Sequence, residues 1–170
     1  ATPWRPTRVH SVSAAVGLAL AGLVFFVLPP QLRVLSDESN LLGLGRALYV
    51  EHRTLVPTHG VFLNGQYFPW FYTDPGTPLL FSMVLCLVNT VFDYRIANAF
   101  VVNYLLLAGL LSVAALSAAR RHGTIGAVVL LLLLLSQPTL VIFSTCAGYD
   151  LMNLCAVAAA GLFLDRYVRS

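Results

Sequence analysis

The sequence predicts an all-α integral membrane protein with about four transmembrane helices and two interfacial helices in a long first outer loop. Of its 170 residues, 58% are hydrophobic and only 10% are charged, whereas a soluble domain carries about 25% charged residues. The hydrophobic residues are concentrated in long runs, which the hydrocarbon core of a bilayer accommodates. The lipid bilayer is therefore the first partner that the sequence implies.

The first span is predicted at 11–29, after a short cytoplasmic N-terminus at 1–10 that is rich in basic residues. A basic segment before a hydrophobic run is also typical of a signal peptide. However, no small-residue cleavage site follows this run. Pro29 and Pro30 end the predicted helix, because proline lacks the amide hydrogen that a continuing helix needs.

Four further hydrophobic runs follow the first span, at 79–92, 97–118, 124–143 and 150–164. The run at 79–92 would be a helix about 21 Å long, which is too short for a hydrocarbon core of about 30 Å. It is therefore predicted to lie along the membrane surface, within an outer loop at 30–96. The other three runs are predicted to cross the bilayer.

The distribution of charge supports this topology. With four spans, the basic cluster Arg120–His122 and the arginines at 166 and 169 lie on the cytoplasmic side, as the positive-inside rule requires. A fifth span at 79–92 would place both clusters outside. We expect a bacterial inner membrane, with the long loop in the periplasm. The arginines form no basic stripe, so we expect no nucleic-acid partner.

The outer loop is predicted to contain an interfacial helix over 36–52. Ser36 is a candidate N-cap, and Leu41, Leu44 and Leu48 recur at helical spacing. Such an amphipathic helix is typical of a segment that lies in the plane of the membrane interface.

An aromatic hairpin is predicted to follow this helix. The pair Asn64-Gly65 stands between hydrophobic residues and indicates a two-residue hairpin turn. Five aromatic residues come between positions 67 and 72, and such side chains favour the headgroup zone. The hairpin would join the helix at 36–52 to the second interfacial helix at 79–92.

Three acidic residues are open to both a structural and a catalytic interpretation. Asp37 and Glu38 stand at the predicted start of the first interfacial helix, where negative side chains stabilise the helix N-terminus. Asp150 stands at the start of the last predicted span and can cap it in the same way. His52 and His59 do not have the spacing of metal ligands, so an interfacial polar role is the simpler interpretation.

The order of these features carries a family resemblance. A basic N-terminus and one span precede Asp37-Glu38, an amphipathic helix, an aromatic segment, the proline-rich segment 74–80 and further spans. This pattern resembles the N-terminal part of GT-C-type polytopic membrane glycosyltransferases. That family includes the protein O-mannosyltransferases and the bacterial aminoarabinose transferases of lipid A. Its members transfer a sugar from a polyprenyl-phosphate carrier to an acceptor at the membrane surface.

The resemblance implies roles for the acidic residues. In the family, an acidic residue in the first outer loop acts as a base or metal ligand, and Asp37 with Glu38 matches that position. A second acidic residue often opens a later span, and Asp150 matches it. The resemblance therefore implies catalysis by these carboxylates and allows for a divalent metal ion bound by Asp37. Its substrate would be a polyprenyl-phosphate-linked sugar.

The length of the chain leaves a second function open. Members of the family are several times longer, so we expect that this chain alone would not catalyse transfer. It would then be either the N-terminal part of a glycosyltransferase or a structural subunit that packs against other membrane subunits. Small residues at 156–161 favour close packing against a partner helix. A transporter fits less well, because no predicted span carries a charged residue at mid-membrane.

Overall fold

The computed structural model describes residues 8–33, 35–63, 66–73 and 79–169. This part of the chain is predominantly helical, as the sequence predicts, and it includes one two-stranded antiparallel ribbon. A five-residue π-helical turn follows the second helix. In chain order the elements are α1 (Arg8–Val27), α2 (Leu35–Arg46), the π-helical turn (Ala47–Glu51), β1 (Val56–Leu63), β2 (Gln66–Thr73), α3 (Leu79–Phe92), α4 (Ala97–Leu135), α5 (Pro138–Ser144) and α6 (Asp150–Arg169).

Two compact units make up the chain. We call the first the helical unit; it comprises the described residues of Ala1–Pro30, Asn103–Thr145 and Asp150–Ser170. We call the second the loop unit; it comprises those of Gln31–Val102 and Cys146–Tyr149. The loop unit therefore contains α2, the ribbon, α3 and the start of α4.

Two helices in the described residues are long and hydrophobic enough to cross a membrane, Val9–Val27 and Ala97–Leu135. The first corresponds to the span predicted at 11–29. Leu79–Phe92 and Asp150–Leu164 are shorter hydrophobic helices. The length of α3 matches the predicted interfacial helix at 79–92 residue for residue. These helices support a membrane protein with transmembrane segments.

Helix α4 reverses direction at Gly123. This residue has a φ of 69° and a ψ of −170°, a conformation that only glycine adopts at low cost. Ala115 and Leu131 belong to one hydrophobic core cluster, although a straight helix would place them about 24 Å apart. Helix α4 therefore consists of two arms that pack against each other. The sequence predicts a break over 119–123, and the structure places it at this one residue.

Small residues bring α1 and α4 into close contact. A Cβ atom on Gly17 would overlap the Ser112 hydroxyl and would stand 2.5 Å from the carbonyl oxygen of Ala108. Beside this contact, the rings of Phe25 and Tyr104 pack edge to face with centroids 5.3 Å apart. Such close packing is how helices associate where the surrounding solvent is itself hydrophobic.

The loop unit is built on two parallel helices, α2 and α3. The Ser82 hydroxyl donates a hydrogen bond of 3.2 Å to the carbonyl oxygen of Leu41. One helical turn further along each helix, a Cβ on Gly45 would lie 2.9 Å from a methyl carbon of Leu85. Because the residue numbers of both contacts rise together, the helices run in the same direction. Leu41, Leu85 and the neighbouring Phe81 are fully buried.

The β1–β2 ribbon lies in the chain between these two helices. Its strands pair in an antiparallel register from Val56 opposite Thr73 to Leu63 opposite Gln66, with irregularities between Pro57 and Gly60. The predicted hairpin is confirmed in its strands, and its turn residues Asn64 and Gly65 lie outside the described residues. The proline-rich segment from Asp74 to Pro78 lies outside them as well.

Candidate functional site

The buried carboxylate of Glu38 organises the start of α2. Its side chain is only 2% exposed. One oxygen accepts a hydrogen bond of 2.5 Å from the backbone N–H of Arg33, and the other accepts one of 2.7 Å from the backbone N–H of Ala147. Backbone donors stabilise a buried negative charge strongly. Glu38 therefore ties the segment before α2 and the segment Cys146–Tyr149 to one helical turn.

This geometry separates the roles of the two neighbouring acids. Both oxygens of Glu38 already accept backbone hydrogen bonds, so this carboxylate does not fit a metal ligand and is better described as a positioning residue. Asp37 lies in the first turn of α2, and its side chain lies outside the described residues. Ligation of a metal ion by Asp37 stays a prediction. Ser36 lies inside the helix rather than at its N-cap, because α2 begins at Leu35.

Asp150 is the first residue of α6 and is half-buried. A negative side chain in the first turn stabilises the helix through its dipole, as the structural interpretation expects. Asp150 also follows directly after the segment that Glu38 holds, since it lies three residues beyond Ala147 in the chain. Its catalytic role stays a prediction.

A polar cluster forms where α2 and α3 end. Arg46 closes α2, and its guanidinium lies 3.7 Å from the carboxylate of Glu51 in the π-helical turn. Burial raises the pKa of the Tyr94 hydroxyl, and the positive charge of Arg46 opposes this shift. Tyr94 therefore remains a protonated hydrogen-bond donor near a cation. The sequence pattern gives no sign that the charge of Arg46 acts on Tyr94.

Backbone conformations in this cluster are unusual. The π-helical turn ends at His52, which has a φ of 54°, and α3 is followed by Asp93 with a φ of 60°. Left-handed conformations are uncommon for residues other than glycine, and π-helical turns often occur at functional sites. The side chain of Asn98 stabilises the second of these turns by donating to the Asp93 carbonyl at 2.8 Å.

Asn98 also joins the start of α4 to α3. Its side-chain amide donates a hydrogen bond of 2.7 Å to the side-chain oxygen of Asn89, and both residues are buried. Together with Ser82 and Glu38, these side chains give the loop unit a set of buried hydrogen bonds.

The described residues contain no group of three or more His, Cys, Asp and Glu side chains arranged to hold a metal ion. The described arginines of the loop unit are the half-buried Arg33, Arg46, which faces Glu51, and the exposed Arg53 and Arg95. Chemically, the loop unit thus offers carboxylates at the start of α2 and cations near its end.

Comparison with known proteins found no match to this chain among protein-family models, curated proteins or solved structures.

Proposed function

We propose that this chain is a membrane glycosyltransferase, or the N-terminal portion of one. It transfers a sugar from a polyprenyl-phosphate donor to an acceptor on the outer face of the membrane. The observation that carries the proposal is the bond between Glu38 and Ala147. This bond connects the helical turn that bears Asp37 with the segment that leads into Asp150, because Glu38 belongs to that turn and Ala147 to that segment. Asp37 and Asp150, the two acidic positions of the family pattern, therefore lie close in the chain to Glu38 and to Ala147.

In this proposal Asp37 accepts the proton of the acceptor hydroxyl as its oxygen attacks the anomeric carbon of the sugar. The bond between that carbon and the phosphate oxygen breaks, and a new glycosidic bond forms with inversion. The polyprenyl phosphate leaves with the bonding electron pair. Arginines of the loop unit, such as Arg53 and Arg95, are exposed and carry the charge that balances the departing phosphate.

The proposed topology has four spans, with the N-terminus in the cytoplasm. Its support is the reversal of α4 at Gly123, which divides that helix into two arms. The arm before the reversal begins at Ala97; the arm after it ends at Leu135, so the span predicted over 124–143 is interrupted at 136–137 before α5. Helix α6 has 20 residues in all, but its hydrophobic part, Asp150–Leu164, is shorter than the two candidate spans, so a crossing there is the least supported part of the proposed topology.

The test is an assay in proteoliposomes with a panel of short-chain polyprenyl-phosphate hexoses, measuring release of polyprenyl phosphate. Loss of a general base costs about 10²–10⁴-fold in rate, so we expect Asp37→Asn to lower release by at least 10²-fold. Its thermal midpoint should not change. Glu51→Gln is the control, because it removes a different loop carboxylate. Retained release by Asp37→Asn contradicts the assignment of the base. Because this chain alone is not expected to catalyse transfer, the assay uses the whole polypeptide that native membranes contain, and no release by that unmodified polypeptide contradicts the enzyme.

A second candidate function is a structural subunit of a larger membrane complex. Two observations favour it: the hydrogen bonds of Glu38 link two segments of the loop unit, as a structural residue would, and α6 exposes the small residues Ala156, Ala159 and Gly161. Such a face suits close packing against a partner helix. Cross-linking in native membranes distinguishes the candidates. A subunit is expected to give a defined cross-linked partner through cysteines placed at 156 or 159, whereas an autonomous enzyme is not.

A further inference from the structure

A groove of about 450 Å³ opens beside the reversal of α4. Both arms of α4 line it, with Arg121 and His122 at the turn and Gly126 and Leu130 beyond it. Gly161 and Leu162 of α6 close the other side. Leu130 lies about two helical turns from the reversal. Arg121 and His122 therefore lie at one end of a hydrophobic surface.

The groove is therefore polar at one end and hydrophobic along the rest, which is the pattern that an amphiphilic molecule would match. Arg121 and His122 are both exposed. A phosphate group accepts hydrogen bonds from the N–H groups of such side chains. Away from the turn, the groove is lined by hydrophobic or small residues. Basic pockets between membrane helices on the cytoplasmic side bind anionic lipid headgroups. In the predicted topology, the reversal lies on that side.

We propose that this groove binds an anionic glycerophospholipid of the bilayer. Its phosphate lies against Arg121 and His122, and part of one acyl chain lies along Leu130 and Leu162. The charge of Arg121 selects the anionic headgroup, the ring N–H of His122 can donate a further hydrogen bond, and the hydrophobic lining selects a lipid over a free phosphate ion. This inference requires only that the helical unit lies in a membrane, and it is independent of the proposed sugar transfer.

The glycines of the unit provide matched variants. A Cβ on Gly161 would have no heavy atom within 4 Å, so a larger side chain there enters the groove without displacing the protein. Gly109 is equally open, but it lines a different groove of about 240 Å³. The described residues that line this second groove, which include Leu106 and Ala159, carry no charge. Gly109→Leu is therefore the control for Gly161→Leu.

The experiment is native mass spectrometry of the full chain, titrated with phosphatidylglycerol or with phosphatidylcholine. We expect the unmodified protein to retain phosphatidylglycerol preferentially. Loss of one arginine near a membrane surface weakens anionic lipid binding about fivefold, so Arg121→Gln should lower retention by that factor. Gly161→Leu should lower it at least as much, whereas Gly109→Leu and Arg121→Lys should retain the lipid.

Two results would overturn the proposal. One is unchanged phosphatidylglycerol retention in both Arg121→Gln and Gly161→Leu. The other is an equal loss in Gly161→Leu and Gly109→Leu, which would show that any enlarged glycine disturbs lipid binding. Gly161→Leu keeps the proposal testable if Arg121→Gln does not fold, because it removes no existing contact. A co-purifying protein that Gly161→Leu releases, with lipid preference unchanged, would assign the groove to a protein partner and also overturn the proposal.

Discussion

The helical unit and the loop unit are held together by different interactions. In the helical unit, helices approach closely at small residues such as Gly17, and large hydrophobic side chains such as Phe26 and Phe163 point outward. In the loop unit, polar side chains are buried and hydrogen-bonded, most completely at Glu38. Close packing at small residues is how helices associate where the surrounding solvent is itself hydrophobic, and the helical unit shows this kind of contact. The loop unit also uses directed hydrogen bonds between buried polar groups.

The largest effect is expected from Glu38→Ala in the loop unit. The substitution leaves the backbone N–H groups of Arg33 and Ala147 buried without these acceptors. Each orphaned donor costs about 1–3 kcal/mol, so we expect a loss of about 2–6 kcal/mol. The measurement is the unfolding free energy in detergent micelles, followed by circular dichroism against a denaturant. The control is Glu51→Ala, which removes a more exposed carboxylate; an equal loss in both variants would show that Glu38 is not special.

A smaller effect is expected from Gly17→Ala in the helical unit. The added methyl group overlaps the Ser112 hydroxyl and presses on the backbone at Ala108, which cannot move aside as a side chain can. Overpacking of this kind costs about 1–3 kcal/mol. The same denaturation experiment measures it. Gly161→Ala adds an identical methyl group in open space within α6, so it should not destabilise the protein and should stabilise it by about 0.5–1 kcal/mol. Equal stability of the two variants would contradict close packing at Gly17.

The smallest effect is expected from the ion pair between Arg46 and Glu51. The two side chains are 38% and 22% exposed and their charged atoms are 3.7 Å apart. Partly exposed pairs of this kind contribute about 0–1 kcal/mol. A double-mutant cycle with Arg46→Gln and Glu51→Gln measures the coupling. A coupling well above 1 kcal/mol would mean that this pair, and not Glu38, dominates the polar interactions of the loop unit.

Local features of the fold could be predicted from the sequence. Proline pairs and hydrophobic runs gave the positions of α1 and α3, because these signals act within a few residues. The strands around Asn64-Gly65 were predictable for the same reason. The sequence predicts the break between the spans at 97–118 and 124–143 over several residues, whereas the structure places it at Gly123. A single glycine suffices, because its backbone can turn while the helices continue up to it on both sides.

The contacts that define the site could not be predicted, because they join distant parts of the chain. Glu38 and Ala147 are 109 residues apart, and no periodicity or spacing connects them. The same holds for Arg46 and Tyr94, which are 48 positions apart in the chain although the charge of Arg46 acts on the Tyr94 hydroxyl. Sequence reasoning identified Glu38 as an acid at a helix start, which is correct, but its partners depend on tertiary structure.

The separation of Glu38 and Ala147 has a consequence for the order of assembly during synthesis. The carboxylate emerges from the ribosome first, and its second donor follows 109 residues later. At about 5–20 residues per second, this interval lasts roughly 5–20 s. During that time Glu38 lacks its second hydrogen-bond donor, so α2 cannot make all of its final contacts. Completion of the loop unit therefore awaits the arrival of Ala147, just ahead of the last helix.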